Sequence, residues 1–200
     1  MVMGSGDPTV VIQEFLSAAA ENGMVVHGPF ARIEATRVAV ERVVALAGDR
    51  RVAVPLTDPV LEELGLRDAL ASAGIELLAP DDTEWSGAIG AAGAGVTGAR
   101  AGIAATGTLL LPCGPGRPRG THIIPPAHVC VVRAEDLVAT IEAAVELQAT
   151  EAHPSTMSWV SGPSRTADLE MRQTIGVHGP KSVDVIVVER DRERPAERER

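Results

Sequence analysis

An α/β fold, an open and mostly parallel sheet flanked by helices, is predicted by three features of this 200-residue chain. Short Val-rich runs alternate with helical stretches of ten or more residues, the rhythm of strands covered on both faces by crossover helices. Hydrophobic residues make up 45% of the chain and charged residues 22%, the balance of a globular protein. Aromatics are only 2%, so the core must be built from Ala, Val, Leu and Ile, which suits close packing of helix on sheet. This length suffices for one domain with a full core. The expected division is a single domain over 1–188, followed by a charged, disordered tail over 189–200 in which five acids and five arginines cancel.

Taken in order, Thr9 to Asn22 reads as an amphipathic helix, with cap chemistry from Asp7-Pro8-Thr9 and a stop at Gly23. Met24 to Val26 reads as a short strand, Phe30 to Ala47 as a longer helix, and Arg51 to Pro55 as a buried strand. A helix over Asp58 to Ser72, capped by Thr57 or Asp58 with Pro59 in its first turn, leads to a strand over Ile75 to Leu78. Six glycines between Gly87 and Gly102 break the rhythm. They lack the G-x-G-x-x-G order of a dinucleotide site, so close backbone packing is the plainer reading. Thr106 to Leu111 is then a strand, Pro112 to Gly120 a turn-rich loop, and Thr121 to Ile124 and Ala127 to Val132 are extended segments. A helix over Ala134 to Ala149, a strand ending at Val160 and a last strand over Val183 to Val188 complete the pattern.

The net charge of -9 lies wholly in the first 188 residues, which carry 13 basic against 22 acidic side chains. Nucleic-acid binding is therefore not expected, because affinity there comes from neutralising phosphates and stacking on aromatic faces. Cys113 and Cys130 are the only cysteines, too few and wrongly spaced for a zinc or iron–sulfur site, and the five histidines form no HxH or HExxH pattern. No cluster or metal motif is present, and the identity of any cofactor is left open. Met1 to Pro8 lacks the pattern of a signal peptide, and no uncharged apolar run reaches membrane-span length, so the expected compartment is the cytoplasm.

The stretch richest in chemistry runs from Ser161-Gly162-Pro163-Ser164-Arg165-Thr166-Ala167-Asp168 to Gly176-Val177-His178-Gly179-Pro180. A Gly-Pro turn followed by small hydroxyl residues and Asp168 predicts a helix start, where exposed N–H groups, the dipole and the Ser164, Arg165 and Thr166 donors would hold an anion. The same residues serve equally as ordinary turn and cap signals. Asp168 either stabilises the helix dipole or orients a ligand or Arg165. Cys113, followed by His122 and His128, could be a thiol activated by an imidazole if the fold brings them together; otherwise it is a packing residue.

These motifs, together with Gly95-Val96-Thr97, Ile103-Ala104-Ala105-Thr106-Gly107-Thr108 and Ile124-Pro125 with His128, resemble the lactate utilization protein C (LutC/YkgG) family with its LUD domain. The resemblance covers roughly residues 50 to 188. It implies a NagB/RpiA/CoA-transferase-like fold and a part in oxidation of L-lactate, or a related 2-hydroxy acid, to pyruvate beside iron–sulfur partner proteins. A chain without cluster cysteines would then be an accessory, ligand-binding subunit rather than a complete enzyme. The family motif reads Glu-Thr-Gly-Thr, and here Ala105 replaces the glutamate, which removes a candidate catalytic carboxylate. The matched positions expected to bind a small anionic ligand are Thr106, Gly107, Thr108, Ser161, Gly162, Ser164, Arg165, Thr166, Asp168, His178 and Gly179. Two rival expectations are a stand-alone transferase or isomerase acting on a CoA ester or sugar phosphate, by analogy of fold, and a non-catalytic scaffold.

Overall fold

Helix α1 (Pro8–Glu21) begins as its sequence dictates: Pro8 occupies the first turn, and the Asp7 carboxylate accepts the Thr9 N–H at 2.9 Å. The computed structural model describes residues 7–48, 50–81, 85–149, 154–167, 173–175 and 179–190. Strand β1 (Val25–Phe30) leads into helix α2 (Arg32–Ala47), which buries Ala35, Ala39, Val43 and Ala47, one side chain per turn. There follow β2 (Val52–Ala53), α3 (Pro59–Glu63), α4 (Leu66–Ser72), β3 (Leu77–Leu78), α5 (Trp85–Ala88), β4 (Ala94–Gly98), β5 (Ala101–Ile103) and β6 (Thr108–Cys113). The remainder comprises α6 (Gly120–Ile123), β7 (Ala127–Arg133), β8 (Leu137–Val138), α7 (Ile141–Ala149), β9 (Thr156–Val160), β10 (Arg165–Ala167), β11 (Gln173–Ile175) and β12 (Ser182–Val188).

Six strands form one sheet in the order β1-β12-β7-β4-β2-β3, with every neighbouring pair parallel. Helices cover both faces. On one side α2, α3 and α4 pack on Val52, Val96, Val129, Val131 and Ile186. On the other, Ile12, Phe15 and Ala19 of α1 meet Cys130, Val132, Val183, Val185 and Val187. This two-sided burial explains why β7 and β12 read as nearly unbroken apolar runs. A second sheet, β8-β5-β6-β9, adds antiparallel pairs β5–β6 and β6–β9, and its Leu109 and Leu111 join the α1 side of the core. Asp184 is the charged exception inside β12. Its buried carboxylate accepts Arg42 Nε of α2 at 2.7 Å and lies 3.0 Å from His27 Nε2 of β1, so one ion cluster joins three elements.

Several local expectations are corrected. Phe30 does not open α2, because it pairs with Val188 as the last residue of β1. The helix expected over 58–72 divides at Leu64-Gly65, where Gly65 adopts a left-handed φ of 60°. Of the extended segment expected over Thr121 to Ile124, Thr121 to Ile123 instead lie on the short helix α6, docked against β4, and Ile124 caps it. Leu137 and Val138 leave the helix expected over 134–149 to pair with Gly102 and Ile103, and α7 starts only at Ile141. The largest correction concerns residues after Ser164. Arg165–Ala167 and Gln173–Ile175 are paired antiparallel strands, so the anion-binding helix start is not formed there. Its local cap signals are overridden by non-local bonds: the Ser164 N–H donates to the Pro180 carbonyl at 2.8 Å, and Arg165 reaches the Asn22 carbonyl at 2.9 Å.

The glycine-rich stretch packs tightly, as its composition suggests. A Cβ on Gly95 would overlap the Thr121 carbonyl, and one on Gly98 would overlap Asp58 and Val60. Gly90 has nothing within 4 Å of the same position. Gly95→Ala is expected to lower unfolding stability by about 1–3 kcal/mol, and Gly90→Ala to leave it unchanged or slightly raised. Urea unfolding of the two variants measures the difference; equal midpoints would contradict the packing role.

Candidate functional site

The motif residues of two distant segments meet beside the end of α1. Asn22 caps that helix, and its side-chain amide donates to the Thr106 carbonyl at 2.7 Å. Gly107, with φ 58°, lies against the Ala18–Ala19 backbone so closely that a Cβ would collide with it. This anchor sets up a hydroxyl row: Thr106 Oγ1 is 2.8 Å from Thr108 Oγ1, which is 2.8 Å from Ser161 Oγ. Gly162 packs on the Asn22 carbonyl, the same group that Arg165 bonds. Gly179 lies against the Ser164 side chain, whose N–H is held by Pro180. Thr166 is placed by its backbone in β10. Asp168 and His178 lie outside the described residues. Each hydroxyl in such a row can turn its proton toward an oxyanion or toward its neighbour, a polar surface suited to a small acid.

A second polar cluster lies beyond the carboxyl ends of β2 and β4, the edge at which open α/β sheets bind ligands. It is a narrow cleft lined by Pro55, Asp58, Gly98, Arg117, Thr121 and His122, with Thr97 and Cys113 completing its wall. Asp58 is its organising group. At 2% exposed, its Oδ1 accepts the Val60 and Leu61 N–H groups that start α3, and its Oδ2 accepts Gly98 N at 2.9 Å and Arg117 Nη2 at 3.0 Å. The sequence shows Asp58 as a cap; its reach to Gly98 and Arg117, 40 and 59 residues on, has no local signal. Behind the cleft, His128 Nε2 lies 2.8 Å from Thr97 Oγ1, and the His122 and His128 rings stand 5.7 Å apart.

The structure brings Cys113 and His122 to one cleft, but not as an activated thiol. Burial, helped by the Arg119 charge, lowers His122 to about 4, and burial with the nearby His122 lowers His128 to about 3. Both rings are neutral at pH 7, and neither supplies the positive charge that would stabilise a thiolate. The Cys113 thiol donates to the Leu111 carbonyl at 3.4 Å. Cys130 is pushed up to about 12, chiefly by burial.

The hydroxyl row and the cleft stand at opposite ends of β6. Thr108 begins that strand and Cys113 ends it. Five residues of strand separate the two by about 17 Å, so they are distinct sites.

An open parallel sheet covered by helices on both faces, with polar groups gathered past its strand ends, defines an α/β fold of the doubly wound kind. Residues 12–188 match the family model of the LUD domain, and the chain belongs to that family. It is 35% identical to lactate utilization protein C of Deinococcus radiodurans over 149 residues, 72% of this chain and 65% of that protein. Identity to lactate utilization protein C of Halalkalibacterium halodurans is 30% over 166 residues, covering 79% of this chain and 71% of the relative. The chain thus spans just under two thirds of the first of these relatives. The crystal structure of a DUF162 family protein from Deinococcus radiodurans matches with a TM-score of 0.67 at 25% identity, over 92% of this chain and 99% of that one. The expected architecture, an open parallel sheet flanked by helices, is the one observed. No helix among the described residues is long and apolar enough to cross a membrane.

The two buried rings make stability depend on pH. In the unfolded chain both histidines protonate near pH 6.5, whereas in the fold they resist protonation down to about 4 and about 3. The unfolded state therefore takes up more protons as pH falls, and stability present above about pH 6.5 is lost towards pH 4 and below. Each ring is expected to contribute up to about 1.4 kcal/mol per pH unit in that window. Urea midpoints across it, compared with those of His122→Gln, should show a shallower slope in the variant; identical slopes would contradict the assignment.

Proposed function

We propose that this chain is an accessory, ligand-binding component of the oxidation of L-lactate, or a related 2-hydroxy acid, to pyruvate. The observation that carries the reading is the hydroxyl row itself. Thr106, Thr108 and Ser161 come from two motif segments of the LUD resemblance, 53 residues separate Thr108 from Ser161, and their oxygens lie 2.8 Å apart. The relatives' name, lactate utilization protein C, supplies the substrate class. Thr106, Gly107, Thr108, Ser161, Gly162, Ser164, Arg165 and Thr166 would hold the acid, with Asp168, His178 and Gly179 completing the site.

The division of labour follows from the chemistry. Converting a 2-hydroxy acid to a 2-oxo acid removes two electrons and two protons, and an iron–sulfur carrier would need cluster ligands that two cysteines cannot provide. The electrons would pass through iron–sulfur partner proteins. Ala105, exposed where the family motif has glutamate, offers no carboxylate for covalent or acid–base work, which favours binding over turnover.

Thermal unfolding with L-lactate and pyruvate tests this reading. A ligand held only by the native state should raise stability by about 2.7 kcal/mol at a hundredfold excess over its Kd. The shift is expected to shrink in Ser161→Ala, which removes one exposed hydroxyl, and to shrink further in Arg165→Ala. Turnover of a CoA ester or sugar phosphate by the isolated chain would instead support a stand-alone enzyme. Absence of any shift would leave the scaffold reading.

A further inference from the structure

We infer that the cleft beyond β2 and β4 is a second binding site, for a small carboxylic acid whose carboxylate meets Arg117 and Thr121 and places one oxygen in the cleft beside His122. Three observations converge on it. First, Thr121 Oγ1 and His122 Nε2 are buried without a hydrogen-bond partner among the described residues, on side chains only 1% and 4% exposed. A buried polar atom left unmatched costs about 1–3 kcal/mol, so two neighbouring ones facing one cleft mark a place where a partner normally sits. Second, the Asp58 carboxylate is saturated by three backbone N–H groups and Arg117, so among the described residues the cleft has no free anionic acceptor. Both guanidinium contacts of Arg117, to Asp58 and to the Gly98 carbonyl, use Nη2. Among the described residues the N–H groups on its Nε and Nη1 remain as donors, and with the Thr121 hydroxyl they form a set that selects an acceptor-rich group.

Third, the shape limits the size of the ligand. The whole cleft has room for about one water-sized group, about 10 Å³, within a surrounding space of about 230 Å³ that includes open solvent. One oxygen fits the cleft, and the carbon body of a small acid would lie outward in the space open to solvent, beside Pro55, Leu111, Pro112 and Pro118. His122, neutral at pH 7, can donate to a carboxylate or keto oxygen or accept from a hydroxyl, so the site suits acetate, pyruvate or L-lactate alike. It is separate from the Thr106–Ser161 row and does not depend on that reading.

Titration calorimetry of the full chain with pyruvate and with acetate tests the assignment. Thr121→Val keeps the side-chain shape while removing the unmatched hydroxyl, so it should fold at least as well as the parent, yet bind pyruvate roughly tenfold more weakly. Arg117→Lys keeps a positive charge for Asp58 but loses the planar fork, and should weaken binding similarly. A role confined to folding would change the melting temperature and leave affinity untouched. Parent-like affinity in both variants, or no binding of either acid by the parent, overturns the inference. Binding abolished by Ser161→Ala and unaffected by Thr121→Val also overturns it, while leaving the hydroxyl-row reading intact.

Discussion

The carboxylate of Asp58 joins three parts of the molecule that share no local sequence logic. It caps α3, accepts the Gly98 N–H at the end of β4, and holds Arg117 in the turn-rich loop before α6. A buried carboxylate is costly unless its lone pairs are filled, and here four donors fill them. The end of the parallel sheet is thereby shaped. Gly98 can approach only because it has no Cβ, and Gly95, three residues earlier, lets the Thr121 carbonyl settle on β4. Remove that carboxylate and the loop, the helix start and the cleft wall lose their common anchor.

Strand β6 gives the fold its second consequence. It carries Thr108, next to Thr106 in the preceding turn, at one end and Cys113 at the other, and its pairing with β9 brings Ser161 to the first and Ser158 to the second. Two polar clusters are thus separated by a strand whose middle, Leu109 to Leu111, is buried core. The hydroxyl row is tied to α1 through Asn22, whereas the cleft is tied to α3 and α6. A ligand at one has no direct contact with the other.

Much of the architecture was legible because it is written in short-range patterns. Val183 to Val188 and Ala127 to Val132 are apolar runs, and both are buried parallel strands; Asp7-Pro8 marks the start of α1 unambiguously. The failures share a cause. Ser164 to Thr166 carry the residues of a helix cap, yet Arg165 and Thr166 lie in a strand: Pro180 takes the Ser164 N–H, Asn22 takes the Arg165 side chain, and β11 pairs with the backbone that follows. Leu137 and Val138 likewise yield helix propensity to pairing with β5. Of the site, the meeting of Thr108 with Ser161 was legible only through the family motif. The cleft was not, since nothing near Asp58, Arg117 or Thr121 in the sequence announces that they face one another.

The most direct test of a carboxylate-binding cleft is a ¹⁵N spectrum of ring-labelled histidine in the full chain, recorded at neutral pH during a pyruvate titration. The account predicts that the His122 Nε2 resonance moves saturably as an oxygen arrives beside it, while the ring stays neutral. An unchanged His122 signal at pyruvate concentrations that saturate the protein would place the ligand elsewhere and contradict the account.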